Sequence, residues 1–336
     1  ADALLLVGAN PRWEAPVLSA RIRRTWLNGN LRVANIGEPY DLTYPVEQLG
    51  ASPDVLEVMA NGGHAFGDVL KNASRPMLIL GPGALARDDG AAILKLAAAI
   101  AGNTGMIGPA ARHGEGGWNG FNVLHTAASR VAALDLGFVP GPSGRDRNSI
   151  LDGAAKGEID FVYLLGADEL DMGRLAKTFV VYQGTHGDAG AHRADVVLPG
   201  AAYTEKDALY TNFEGRVQRA NRATFPPGEA KEDWAILRAL SEVVGKRLPY
   251  DSREALRAAI AREAPQFAKL GELPDPPAAD AAVWENIGAA GPVNGDFPLS
   301  SPIADFYLTN PIARASLTMA ECSRMFLSGS ARMAAE

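Results

Sequence analysis

The stretch "THGDAGAHRADVVLP" (185–199) gathers His186, Asp188, His192 and Asp195, side chains able to hold a metal or move protons. Paired metal-binding histidines on a helix recur four residues apart, so that both rings leave one face. His186 and His192 are six apart with glycines between them, which makes this segment a loop that would need ligands from elsewhere. The other histidines, His64, His113 and His125, stand singly and supply no second cluster, so no metal ligand is expected. A nucleophilic centre fares no better. The chain has no G-x-S-x-G elbow, no Walker loop and no G-x-G-x-x-G after a strand, and no catalytic residue is expected. "GPGA" (81–84) reads as a tight strand-to-helix connection, and "RHGEGGWNG" (112–120) as a ligand loop or as a surface connection with Trp118 packed inward.

The elements around these residues follow from apolar periodicity. Continuous apolar runs at 3–8, 31–37, 76–81, 160–166, 178–184 and 194–199 predict strands covered on both faces. Helical patterns lie between them. One runs from Pro11 to Gly29 with Asn10 as N-cap, one over 87–102, and one over 148–158 starting at Asn148. The alternation predicts an α/β fold with a mostly parallel, doubly wound sheet. Strands end in glycine at Gly8, Gly81, Gly166 and Gly184. The crevice beyond such ends is where open parallel sheets bind nucleotide-like ligands, although glycine also ends strands that bind nothing. Past Pro199 the texture changes. A helix over 231–248 aligns Trp234, Leu237, Leu240 and Val244, and Ser252 can cap another helix. "LPDPPAADAA" (273–282) reads as a linker, and a last helix follows Asn310.

Composition narrows the function classes. With 336 residues and 47% hydrophobic side chains the chain can bury a large core. A net charge of −7, with lysine and arginine scattered, argues against nucleic acid as a partner. "LLLVGA" (4–9) breaks at Asn10–Arg12, far short of a membrane span. An iron–sulfur cluster takes about four thiolates. Cys322 is the single cysteine, so the chain can hold no cluster and no internal disulfide. On its helix, Cys322 reads as a small apolar residue.

"GTHGDAGAHRADVVLPGAAYTEKDALYTNFEGRVQ" (184–218) closely resembles the molybdopterin-dependent oxidoreductase superfamily, in its ADVVLP strand, EK pair and N-x-E-G-R-x-Q element. The wording is similar to one branch, the large peripheral-arm subunits of respiratory complex I. Patches at 4–23, 117–141 and "YLTNPIARASLTMAECS" (307–323) agree with that branch. The resemblance implies a formate dehydrogenase/DMSO reductase type of α/β fold with a helical C-terminal extension. The expected division is a molybdopterin-oxidoreductase-like domain over 1–228, a helical segment over 229–272, and a linker with a helical tail over 273–336.

Active members hold a bis-pterin guanine dinucleotide with molybdenum at the strand ends. Carried over by motif, that crevice would be Gly8, Ala9, Asn10 and Pro11, then Thr185, His186 and Asp188, then Asn212, Glu214 and Gly215. Active members commonly have Gly-Thr after the EK pair, where this chain has Ala208 and Leu209. Side chains there crowd a close backbone approach. The branch implies a degenerate crevice with no cofactor, and a structural role in proton-pumping NADH:quinone oxidoreductase. The 2Fe-2S and 4Fe-4S clusters would lie in an N-terminal half outside this chain. That half, the NADH/FMN-binding subunit and other peripheral-arm subunits would be the partners, on the cytoplasmic face of a bacterial inner membrane or the matrix face in mitochondria. A chain that opens directly on a strand fits such a piece. The alternatives are a fragment of an active molybdopterin enzyme of the formate dehydrogenase or nitrate reductase type, and a stand-alone nucleotide-binding protein.

Overall fold

The apolar runs become strands of parallel sheets in the computed structural model, which describes residues 1–29, 31–107, 118–274, 284 and 286–333. Strands β1 (Ala3–Val7), β2 (Arg32–Ile36), β3 (Glu47–Gly50), β4 (Pro76–Leu80) and β5 (Phe121–Val123) form a parallel sheet in the order β3-β2-β1-β4-β5. Because side chains alternate along a strand, β1 feeds two cores. Leu4 and Leu6 meet Val33, Ile79 and Ile22, while Leu5 and Val7 meet Ala34, Leu78, Leu56 and Ile93. Helices α1 (Pro11–Glu14) and α2 (Pro16–Leu27) are followed by α3 (Asp54–Ala60), α4 (Ala65–Asn72), α5 (Pro82–Leu85) and α6 (Gly90–Asn103). Ile22 comes from α2, and Leu56, Phe66 and Ile93 from α3, α4 and α6, so both faces of this sheet are covered.

A second parallel sheet has the order β6 (Phe161–Leu165), β7 (Phe179–Gly184), β8 (Val196–Pro199). Helices α7 (Arg130–Asp135) and α8 (Arg147–Lys156) precede it, and α9 (Ala189–Arg193) joins β7 to β8. Leu151 and Ala154 of α8 pack on Leu164, Val180 and Tyr182. An antiparallel hairpin, β9 (Ala208–Thr211) with β10 (Val217–Ala220), leads to α10 (Asp233–Val243) and α11 (Arg253–Glu263). The chain ends in α12 (Pro311–Arg314) and α13 (Leu317–Met333). No helix among the described residues is long and apolar enough to cross a membrane.

The chain gathers into two units, each built from two stretches: Ala1–Ala127 with Pro274–Ala304, and Ala128–Leu273 with Asp305–Glu336. The division between Leu273 and Pro274 falls beside the expected boundary at 272, and the region that follows it is shared between the two units.

Several local expectations shift. The helix from Pro11 breaks at Ala15, because Pro16 cannot donate into it and restarts the chain as α2. Asn10 sits at the N-cap without using its side chain; instead its backbone N–H donates to the Glu14 carboxylate at 3.0 Å. The helix expected from Asn148 starts at Arg147, capped by Asp146, whose Oδ1 accepts from the Ser149 N–H at 2.8 Å. Val244 lies past the end of α10 and is 62% exposed, so it does not share the buried face. Ser252 and Asn310 both cap as their types predict. Trp118 is half-buried and donates to the Pro76 carbonyl at 2.8 Å, whereas 112–117, with His113, and most of the 273–282 linker lie outside the described residues.

Two glycines separate packing from propensity. A Cβ on Gly81 would lie 2.2 Å from the Gly8 carbonyl oxygen, while one on Gly102, in the last turn of α6, would meet nothing within 4 Å. Gly81→Ala should destabilise the fold by about 1–3 kcal/mol through overpacking. Gly102→Ala should stabilise it by about 0.4–1 kcal/mol through helix propensity. Urea midpoints of the two variants should move in opposite directions.

Candidate functional site

The strand order of the first sheet reverses at β1 and β4, the place where an open parallel sheet offers its ligand crevice. Gly8 (φ +54°) and Gly81 end these strands, and the Gly81 N–H donates to Val7 at 2.8 Å. The place above them is already filled. A Cβ on Gly83 would lie 2.2 Å from the Ser300 carbonyl oxygen, and one on Gly37 2.8 Å from that of Leu299.

Segment 294–301 is fastened there by a series of bonds. Leu299, fully buried, donates to Ala51 at 2.9 Å and accepts from Glu38 at 3.0 Å. Arg87 donates to the Asn294 and Phe297 carbonyls at 2.8 and 3.0 Å. The same guanidinium holds the Asp89 carboxyl down at about 2. Ser301 donates its hydroxyl to Glu14 at 2.7 Å and its N–H to the Tyr40 oxygen at 2.8 Å. Burial raises the Glu14 carboxyl and pushes Tyr40 up to about 12. Pro11 is buried in the first turn of α1. Asn10 is buried too, and its Oδ1 has no partner among the described residues.

The second sheet carries the loop 185–195. Asp188 caps α9, its Oδ1 accepting from the Ala189 N–H at 2.8 Å. Its Oδ2 accepts from Arg314 Nε at 2.6 Å. The same guanidinium reaches Asp168 Oδ1 at 3.2 Å and Glu169 Oε1 at 3.3 Å, at the end of β6. The Asp168 side chain is 1% exposed, and the Tyr182 hydroxyl donates to its other oxygen at 3.3 Å. Burial raises the Asp168 carboxyl despite Arg314, and pushes Tyr182 up to about 12. Burial would raise Asp188 as well, but the bonds from Arg314 and Ala189 leave it lowered. Asn310 caps α12 by accepting from the Ala313 N–H at 2.9 Å, which fixes the turn that presents Arg314.

The other candidates have local employment. His186 Nδ1 lies 2.8 Å from the Thr185 hydroxyl. Asp195 accepts from the Val180 N–H at 2.7 Å and so starts β8 beside β7. Asn212 Oδ1 accepts from the Glu214 and Arg216 N–H groups at 2.9 and 3.0 Å, and Gly215 (φ +78°) completes that hairpin turn. Ala208 and Leu209 belong to β9, and Leu209 packs against a small core around Val217 and Phe267. The structure therefore puts Gly8, Asn10 and Pro11 in one unit and Thr185, His186, Asp188, Asn212, Glu214 and Gly215 in the other.

Sequence reasoning missed the groups that dominate the second site. Asp168 and Glu169 followed a strand-ending glycine, a usable signal, but nothing local marked Arg314 as their partner. It also missed Lys206, which pairs with Asp233, while Asp233 accepts from the buried Gln183 side chain at 2.8 Å. A cleft of about 550 Å3 remains beside this loop, lined by Thr185, Tyr203, Lys206, Asn310 and Ile312 among others.

A pterin dinucleotide does not fit these strand ends. Its pyrophosphate needs free N–H groups or cations. The second sheet offers three carboxylates around one arginine, a field that repels an anion. The first has the backbone of Leu299 and Ser300 where a ligand would approach. No group of three or more metal-ligating side chains occurs among the described residues.

The family models that the chain matches agree with the architecture. Residues 1–243 match the family model "Molybdopterin oxidoreductase", and 267–322 match a family model for the C-terminal region of an NADH-ubiquinone oxidoreductase subunit. The chain is 42% identical to the mitochondrial NADH-ubiquinone oxidoreductase 78 kDa subunit of Candida albicans, over 97% of its own length and 43% of the relative's. It is also 42% identical to the NADH-ubiquinone oxidoreductase 75 kDa subunit of Reclinomonas americana, covering 97% and 45%. The chain thus spans less than half the length of these curated relatives. Among solved structures, acetylene hydratase from Pelobacter acetylenicus aligns with a TM-score of 0.48 at 10% identity, over 93% of this chain and 55% of that one.

The carboxylate cluster generates a test. Arg314→Leu leaves Asp168 buried without its counter-charge and should cost about 3 kcal/mol at neutral pH. A raised carboxyl costs stability as pH rises through its folded value, so the deficit should shrink in acid as Asp168 protonates. Asp188 acts with the opposite sign: being lowered, it stabilises the wild type above its unfolded value, and this is lost as pH falls through the folded value. Urea unfolding of wild type and variant from about pH 2 to pH 8 measures both slopes.

Proposed function

The chain belongs to the molybdopterin oxidoreductase family, and from that premise we propose that it is a non-catalytic, structural part of the large peripheral subunit of proton-pumping NADH:quinone oxidoreductase. The observation that carries this reading is the self-occupation of both strand ends. Segment 294–301 covers the glycine turns of the first sheet, and Arg314 fills the acidic loop of the second. Both belong to residues 267–322, the region that matches the C-terminal model of the NADH-ubiquinone oxidoreductase subunit. The extension that distinguishes this branch is thus the same stretch of chain that occupies the ancestral crevice.

In this role the chain supports an N-terminal half bearing 2Fe-2S and 4Fe-4S clusters and contacts the NADH/FMN-binding subunit and its peripheral-arm neighbours. Electron transfer falls off steeply with distance, so rigid sheets that hold clusters in place contribute to rate without touching an electron. The names of the curated relatives, one of them an iron-sulfur protein of NADH dehydrogenase from Solanum tuberosum at 40% identity, support the complex. With one cysteine, the chain has no means of ligating a cluster itself. The subunit would sit peripherally, on the cytoplasmic face in a bacterium or the matrix face in a mitochondrion.

Metal and pterin analysis of the full-length subunit within its purified complex tests this. Iron should be found, with molybdenum, tungsten and oxidised-pterin fluorescence at background. Stoichiometric molybdenum or tungsten with a pterin would instead support an active enzyme of the formate dehydrogenase or nitrate reductase type. His186→Ala in the assembled complex should leave NADH:quinone turnover unchanged, and a loss of turnover with assembly intact would mean that the loop does chemistry.

A further inference from the structure

Residues 305–327 are bonded mostly to one another. Asp305 accepts from the Tyr307 N–H at 2.8 Å and from the Ser323 hydroxyl at 2.6 Å, which joins the 3-10 turn Phe306–Leu308 to α13. Tyr307 and Phe326 stack with ring centroids 5.9 Å apart. No residue from 305 to 327 is buried, and none belongs to the core clusters of the second unit. Where this stretch faces the strand ends, it stands off them. The cleft of about 550 Å3 has Asn310, Ile312 and Met319 on this side and Thr185, Tyr203 and Lys206 on the other.

One side chain makes the tie. Arg314 donates to Asp188 at 2.6 Å, to Asp168 at 3.2 Å and to Glu169 at 3.3 Å, and on its own side to the Leu308 carbonyl at 3.3 Å. Among the described residues, the ion pairs between this stretch and the ends of β6 and β7 are all made by Arg314. An element with few buried apolar contacts opens at far lower cost than the core beneath it. Its hold is then set by the tie. A fork of charge-assisted bonds is strong and directional, and it is lost as a whole when the guanidinium withdraws.

We propose that residues 305–327 are a strap latched by Arg314, which swings away from the second sheet as one body while the core beneath α8 stays folded. Closed, the strap covers the acidic loop, and the fork offsets part of its charge. Open, it removes one wall of the cleft and leaves Asp168, Glu169 and Asp188 without their cation. Thr185, Tyr203 and Lys206 then become reachable beside a strongly acidic surface. Internal bonds such as that of Ser323 to Asp305 keep the strap intact in both positions. The inference stands on the geometry of the second unit and does not depend on the structural role proposed above.

Single-molecule fluorescence energy transfer tests this in the full-length subunit within its assembled complex. Dyes are carried by non-canonical residues at Ala320 of α13 and Lys156 of α8, both exposed. The wild type should show one dominant distance. Arg314→Lys keeps the charge but loses the fork, and should raise a second population at a different distance about tenfold. Glu169→Gln removes the most exposed of the three arms and should raise it about 2–5-fold. Glu321→Gln, which breaks a pair with Arg324 inside α13, should leave it unchanged. Hydrogen exchange of β6 and β7 should stay at its wild-type rate throughout. A single distance in every variant would overturn the proposal, as would an equal rise in Glu321→Gln or faster exchange of β6 and β7. Should Arg314→Lys fail to assemble, the contrast between Glu169→Gln and Glu321→Gln decides.

Discussion

A parallel sheet has to bury both faces, and most of what this chain does follows from how that demand is met. Its strands carry apolar side chains in both directions, so cover has to come from both sides. In the first unit the demand is met within the chain. Two cores flank β1, and the turn glycines are closed over by Leu299 and Ser300. The close approach works because Gly81 and Gly83 lack the carbon that would collide with Gly8 and Ser300.

The same C-terminal region acts on the second unit through charge instead of backbone. Three carboxylates at the ends of β6 and β7 would repel one another, and Asp168 is nearly devoid of solvent. A guanidinium has a planar fork of donors and keeps its charge when partly desolvated, so one Arg314 can bond Asp188, Asp168 and Glu169 at once. A lysine would offer a point charge without that geometry. The cluster remains net acidic with its arginine in place, which is why the strand ends are a poor home for a pyrophosphate. Covering one crevice with backbone and another with a paired charge reaches the same end by unrelated means.

Much of the fold was legible because its signal is local. Six apolar runs bounded by turn residues became β1, β2, β4, β6, β7 and β8, within a residue or two at each end. β3, reading Glu-Gln-Leu-Gly, carried no such signal, since it lies at the sheet edge and is stabilised by pairing with β2. The hairpin strands "ALYT" and "VQRA" mix polar and apolar residues and read as loop. The site was legible only in part. The cap role of Asp188 is local chemistry, but Arg314 lies 126 residues away along the chain, and no spacing rule spans such a gap. The division into units was hidden for the same reason, because segments 274–304 and 305–336 join sheets whose strands lie far upstream.

On the proposed reading, in which the strand ends hold no cofactor, a glycine-lined crevice left open would admit water to backbone groups that need partners. Something must take the ligand's place, and a segment of the same chain does so without the entropy cost of a separate binding event. Its carbonyl and N–H groups supply the lost bonds, as those of Leu299 do to Glu38 and Ala51. Occupying the crevice in this way also ties the end of the chain to sheets formed from its beginning and middle, which stiffens each unit. A rigid body is what the proposed role, holding redox centres at fixed spacing, would require. The loop "THGDAGAHRADVVLP" belongs to that economy: His186 and Asp195 serve the loop and the strand beside it, and Asp188 receives the arginine that closes the site.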